Sequence, residues 1–146
     1  METEDIAYLA GIVDGEGCIS VMRLSRGNRS SATFMARISV AMTSEKIVRW
    51  IKATTEVGTV HVKCHQPGRK KQWLWLVNSR NAVGLLRTLL PFLKLKKPQA
   101  RNAVALQRVL RRSSGGAKLT RREVATRTRL YKISRKLNGG RTRGKL

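Results

Sequence analysis

At 146 residues with 41% hydrophobic content, the chain has the means for one compact domain around one core. Its 31 Lys and Arg against eight Asp and Glu give a formal charge of +23, which repels itself unless an acidic partner binds, and nucleic acid phosphates are the partner that such a charge fits best. No run nears the roughly 18 apolar residues of a membrane span, the acidic opening Met1 to Asp5 is unlike a leader peptide, and Cys18 and Cys64 make no disulfide framework; the expectation is an intracellular, nucleic-acid-associated protein.

In chain order, residues 4–16 read as a helix with acids in its first turn, where the macrodipole favours them, stopped by Gly15-Glu16-Gly17. Residues 18–25 are strand-like, followed by a polar, basic loop at 26–31. The next strand alternates cleanly: Phe34, Ala36, Ile38, Val40 and Met42 against Thr33, Met35, Arg37, Ser39 and Ala41. Thr43 or Ser44 caps a second helix through Ile47, Val48 and Ile51. A third strand sets Val60, Val62 and Cys64 against Thr59, His61 and Lys63. The basic turn Gln66 to Lys71 leads into a fourth strand, Gln72 to Val77, whose Trp73 and Trp75 read as packing residues. Asn78 or Ser79 caps a third helix with Val83, Leu86 and Leu90 on one face, stopped by Pro91. A further helix runs from about Pro98 to Arg112. After a linker at 113–118, the capping box Thr120-x-x-Glu123 opens a last helix with Leu130, Ile133 and Leu137 inward. The order αββαββα, with added carboxy-terminal helices, predicts an α+β domain with an antiparallel sheet. Its core would span 1–112, its helical extension 113–138, and a basic, frayed tail 139–146.

Five of the eight acids lie in the first sixteen residues, so a carboxylate metal site must draw on the first helix. Ala7, Gly11 and Gly15 stand at i, i+4 and i+8, a face of small residues along which another helix can approach closely. Ile6, Leu9 and Val13 face elsewhere, towards the chain's own core. With one copy of this helix, the second packing partner is expected to be its twin in a homodimer. Glu16, at the helix end where the macrodipole already disfavours it, would then meet its twin. At about 5 Å and an effective dielectric of about 20, two carboxylates repel by roughly 3 kcal/mol. A divalent cation offsets that, and hard oxygen ligands suit magnesium.

The stretch Leu9-Ala10-Gly11-Ile12-Val13-Asp14-Gly15-Glu16-Gly17 resembles the LAGLIDADG motif. Leu90-Pro91-Phe92-Leu93-Lys94-Leu95-Lys96-Lys97-Pro98-Gln99-Ala100 resembles the segment that carries the catalytic lysine of that homing endonuclease family, in its single-motif, homodimeric, chloroplast-intron-type branch. Together they cover about residues 5–110. The resemblance implies a mobile-element enzyme that makes a double-strand break at a long, roughly palindromic target. Glu16 would bind Mg2+ with the Gly15 carbonyl, Lys96 would organise the attacking water or stabilise the transition state, and Asp14 would be structural. Where relatives have a Gln near the attacking water and an Arg close by, this chain has Ser44 and Val48; Ser44 can hold a water and Val48 cannot, which leaves Lys46 or Arg49 as substitutes.

Alternation along the strands, joined to the family's use of a saddle of strands, marks Arg23, Ser25, Arg37, Ser39, His61, Lys63 and Gln72 as the surface that reads double-stranded DNA. Arg26, Arg29, Arg69, Lys70 and Lys71 extend it from the loops. His61, Cys64 and His65 lack a fourth ligand and read as core or surface residues rather than a metal site. The last helix, with Arg121, Arg122, Arg127, Arg129, Lys132, Arg135 and Lys136, is either a cap over the core or, as its charge favours, a clamp on DNA. Two other functions suit the same fold: an RNA-binding intron maturase, and a DNA-binding regulator with a degenerate site.

Overall fold

The computed structural model describes residues 1–24, 33–63, 67–110 and 119–139. Helix α1 spans Thr3–Glu16 and β1 Gly17–Leu24; β2 is Thr33–Met42, α2 Glu45–Thr55, β3 Thr59–Lys63 and β4 Gln72–Asn78. Helices α3 (Ser79–Leu89), α4 (Lys97–Val109) and α5 (Arg121–Leu137) follow. The expected αββαββα order with carboxy-terminal helices is what forms. The four strands make one antiparallel sheet in the order β1-β2-β4-β3. Ser25, Arg26, Arg29, Cys64, His65, the 113–118 linker and nearly all of the tail lie outside the described residues.

One face of the sheet carries the core. Ile19, Ile38, Val40, Trp75 and Val77 meet Leu9, Ala10 and Val13 of α1, Val48 and Ile51 of α2, Leu86 and Leu89 of α3, and Leu93 beyond it. Fully burying a side chain of this kind contributes about 1.5–3 kcal/mol, so this one cluster dominates the fold. Trp75 is packing, as expected: it is fully buried and its indole donates to Val57 O at 3.0 Å. A second cluster, Val21, Phe34, Leu106 and Leu130, joins the far end of the sheet to α4 and α5. Within α3 it is Leu89 that is buried, and Leu90 only partly so.

Two helix ends are set by local backbone geometry. Helix α4 stops at Val109, where Leu110 turns extended (φ −84°, ψ 117°); Arg112, the expected end, lies outside the described residues. Helix α1 ends at Glu16 as expected, on an extended Gly17 (φ −83°, ψ 160°). Its need for glycine is one of space: a Cβ there would lie 2.7 Å from Val13 O. Strand β1 therefore leaves the helix within a single residue.

The buried residues of α5 are Arg127, Leu130 and Ser134; Ile133 and Leu137, expected inward, are exposed. Polar contacts decide this rotation. Ser134 Oγ accepts from Val21 N–H at 2.8 Å and the Asn138 amide donates to Ile19 O at 2.9 Å, satisfying the open edge of β1. From α4, Asn102 donates to Leu130 O and Gln99 to Leu137 O. Arg127, counted among the clamp cations, is instead buried and donates to Val109 O at 3.1 Å.

Candidate functional site

The last turn of α1 holds Asp14, Gly15 and Glu16 together, and they divide the work. Asp14 turns inward to the chain segment before α4. Its Oδ2 accepts from the amides of Lys94 (2.6 Å) and Leu95 (3.2 Å), and its Oδ1 from that of Lys96 (2.9 Å). Burial acts to raise this carboxyl, but the three amides and the Lys96 charge outweigh it and hold it below its usual 3.8. The segment itself is pinned by Leu93, fully buried in the core.

Lys96 is thereby fixed beside the helix end. Its Nζ donates to Val13 O at 2.9 Å and Asp14 O at 2.6 Å. No basic residue lies in the last turn of α1, so Lys96 supplies the cation that a helix C-terminus favours. An ammonium has three donors, and two are spent here. Glu16 is different: it is exposed, and no hydrogen bond or ion pair engages its carboxylate among the described residues. Gly15 beside it has nothing within 4 Å of where a Cβ would stand, and the same is true of Gly11. Ala7, Gly11 and Gly15 thus form an open stripe that ends at a free carboxylate.

No group of three or more His, Cys, Asp or Glu able to hold a metal occurs among the described residues. The Glu16 oxygens and the Gly15 carbonyl, in a last turn whose carbonyls lack helical partners, are of the hard-donor class that magnesium takes. The donor set fits the metal.

The residues at the expected water-organising positions make contacts of their own. Ser44 is the N-cap of α2, its hydroxyl accepting from Ile47 N–H at 3.4 Å. Val48 is fully buried in the core. Arg49 pairs with Glu45 at 2.7 Å and stands over Trp73 at 5.2 Å. Lys46 lines a cleft with Glu4, Asp5 and Tyr8, at the opening turns of α1. From Tyr8 to Glu16 is about 12 Å along a helix axis at its standard rise.

Among the described residues, the sheet's second face carries no helix of its own. Register places Ser20 of β1, Arg37 of β2 and Asn78 of β4 in one row; Cys18, Ser39, Leu76 and Thr59 form the next. Ala41, Leu74 and His61 follow, and then Gln72 with Lys63. The face thus unites Arg37, Ser39, His61, Lys63 and Gln72, as alternation predicts. Arg69, Lys70 and Lys71 are exposed in the turn before β4, with Lys71 Nζ 4.5 Å from the Trp73 ring.

Arg23 is misplaced in the sequence reading. It pairs with buried Phe34, so it lies on the core side, exposed only because the strand outruns the core. Ser20, Met22, Leu74, Leu76 and Asn78, on the open face, were not anticipated. Asn78 takes the N-cap position of α3 as expected but forms no side-chain cap bond, and its Oδ1 accepts from Arg37 Nε at 2.8 Å.

Among solved structures, the chain is similar to the homing endonuclease I-CvuI in complex with its target, with 23% identity, TM-score 0.77, and coverage of 98% of this chain and 87% of that one. The archaeal intron-encoded homing endonuclease I-Vdi141I complexed with DNA gives 17%, 0.70, 99% and 89%. The LAGLIDADG homing endonuclease I-GzeII in complex with a DNA target gives 12%, 0.57, 71% and 35%. No family model and no curated protein matches the sequence. The fold is that of the LAGLIDADG homing endonucleases.

Proposed function

We propose that the protein is a site-specific DNA endonuclease that works as a homodimer with magnesium. The observation that carries this reading is the free Glu16 carboxylate at the end of an open glycine stripe, with Lys96 fixed against the same turn. A second copy of α1 against Ala7, Gly11 and Gly15 brings two Glu16 side chains to the axis between two copies, one beside each DNA strand. Glu16 and the Gly15 carbonyl would hold Mg2+, which when bound polarises a phosphate oxygen and makes water a stronger nucleophile. Lys96, its ammonium held by two carbonyls, presents its remaining donor where a phosphoryl oxygen gains charge. Asp14, spent on three amides, keeps Lys96 and Glu16 in register and takes no proton.

The open sheet face, with its cationic turns, lies against the major groove, whose width admits a small antiparallel sheet. The similar structures contain DNA, and the charge of +23 is what binding a polyanion requires. A regulator of the same fold is the second reading, supported by Ser44 and Val48 standing where relatives have Gln and Arg, with the Ser44 hydroxyl engaged in a helix cap and Val48 buried in the core. An RNA-binding maturase has less support, since it needs neither a free Glu16 nor a fixed Lys96.

The variant Glu16→Gln separates these readings. It is expected to bind target DNA within about twofold of wild type, because neutralising one carboxylate changes little of the DNA surface, yet to lose cutting at least a hundredfold. Cutting that persists in the variant overturns the assigned centre.

A further inference from the structure

Asn78 ends β4 and directly precedes α3, a position whose side chain ordinarily accepts from the first turn of the helix. Here it gives up that role to hold Arg37, its partner in the β2–β4 register, through Nε at 2.8 Å. The next residue, Ser79, has φ 56°, a left-handed conformation that strains any residue but glycine. Two departures from an ordinary helix start thus meet at the residue that braces one arginine. Arg37 itself is half-buried on the open face, with Ser20 on its other side. Fixing Nε leaves the two terminal nitrogens as a fork with parallel N–H donors. Such a fork matches the O6 and N7 acceptors that only guanine presents in the major groove. A cation that merely neutralises phosphate needs no brace, since phosphates are met from many directions.

We propose that Arg37 reads a guanine in each half of the DNA target and that Asn78 is the positioning residue that aims it. This rests on the endonuclease reading above, and adds to it one base and one residue pair.

The test is selection of binding sites by the full-length chain from a randomised DNA library. Wild type is expected to enrich a guanine at a fixed position of each half-site. Arg37→Lys, which lacks the fork, lowers that preference about tenfold or more and leaves the other positions as they were. Asn78→Ala lowers it in part, and Asn78→Asp, which keeps the acceptor, restores it; loss of a helix cap alone would not change preference at one base. In the selected site, 7-deazaguanine at that position removes the N7 acceptor and weakens wild-type binding with no change to the protein. An enriched site without an Arg37-dependent guanine, or a uniform loss across all positions in Arg37→Lys, overturns the proposal while DNA reading stands. Enrichment of no sequence at all overturns both.

Discussion

Asp14 and Glu16 stand two residues apart on one helix turn, and their surroundings give them opposite tasks. Three amides and a lysine claim Asp14, while Glu16 faces outward with its oxygens free. Asp14→Asn keeps one acceptor but loses the charge, and is expected to cost about 1–3 kcal/mol in denaturant unfolding. Because the folded protein holds Asp14 below its usual 3.8, its contribution is complete above that value and is lost as pH falls through the lower folded value. The acid limb of the stability curve, measured below about pH 4, is therefore expected to flatten in Asp14→Asn; an unchanged limb would mean the amide contacts add nothing. Gly17→Ala must move either the helix end or β1, since its Cβ would lie 2.7 Å from Val13 O. A cost of about 1–3 kcal/mol is expected, with cutting reduced further than binding because Glu16 is the neighbour displaced. These residues were legible in the sequence because each has a distinct chemistry at a fixed spacing. Lys96 could be picked out by its surrounding segment, but its attachment to Val13 O and Asp14 O could not, since a contact across 80 residues leaves no local pattern.

Among the elements, α5 differs most from expectation, and the reason is polar. A hydrophobic stripe of Leu130, Ile133 and Leu137 was a sound reading of the apolar residues alone. The unpaired edge of β1 instead recruits Ser134 and Asn138, and that rotates Ile133 and Leu137 towards solvent. An open strand edge invites pairing with other chains, and α5 covers it. Ser134→Val leaves the Val21 N–H buried without an acceptor and is expected to cost about 1–3 kcal/mol and to raise aggregation on storage, as light scattering would record. A variant as stable as wild type would deny α5 that role. The phase of β1 was illegible for a related reason. Cys18, Met22 and Leu24 on the open face are as apolar as Ile19 and Val21 on the core face, so alternation cannot tell the sides apart. In β2 it can, because Arg37 and Ser39 interrupt the apolar residues. Leu74 and Leu76 went unnoticed because an open face that includes leucines looks like a core face until register is known.

For the molecule as a whole, charge and the glycine stripe point the same way. Folding 31 cations against eight acids into one domain is sustainable in the presence of a polyanion, and α1 exposes Ala7, Gly11 and Gly15 where a buried helix would have apolar side chains. Gly11→Leu places a side chain in that opening. Sedimentation is expected to report a monomer with an intact fold and no cutting; a dimer would place the interface elsewhere. The order of elements was legible because the periods of two and 3.6 change cleanly along the chain. The proposed pairing of two copies leaves only a face of small residues as its signal. DNA cutting is tested most directly by incubation of wild type and magnesium with DNA that joins the sequences flanking its gene. A double-strand cut, abolished by EDTA and absent with Glu16→Gln, is the predicted result. Tight binding to that DNA with both strands left whole would contradict it, and would make the protein a regulator built on an endonuclease fold.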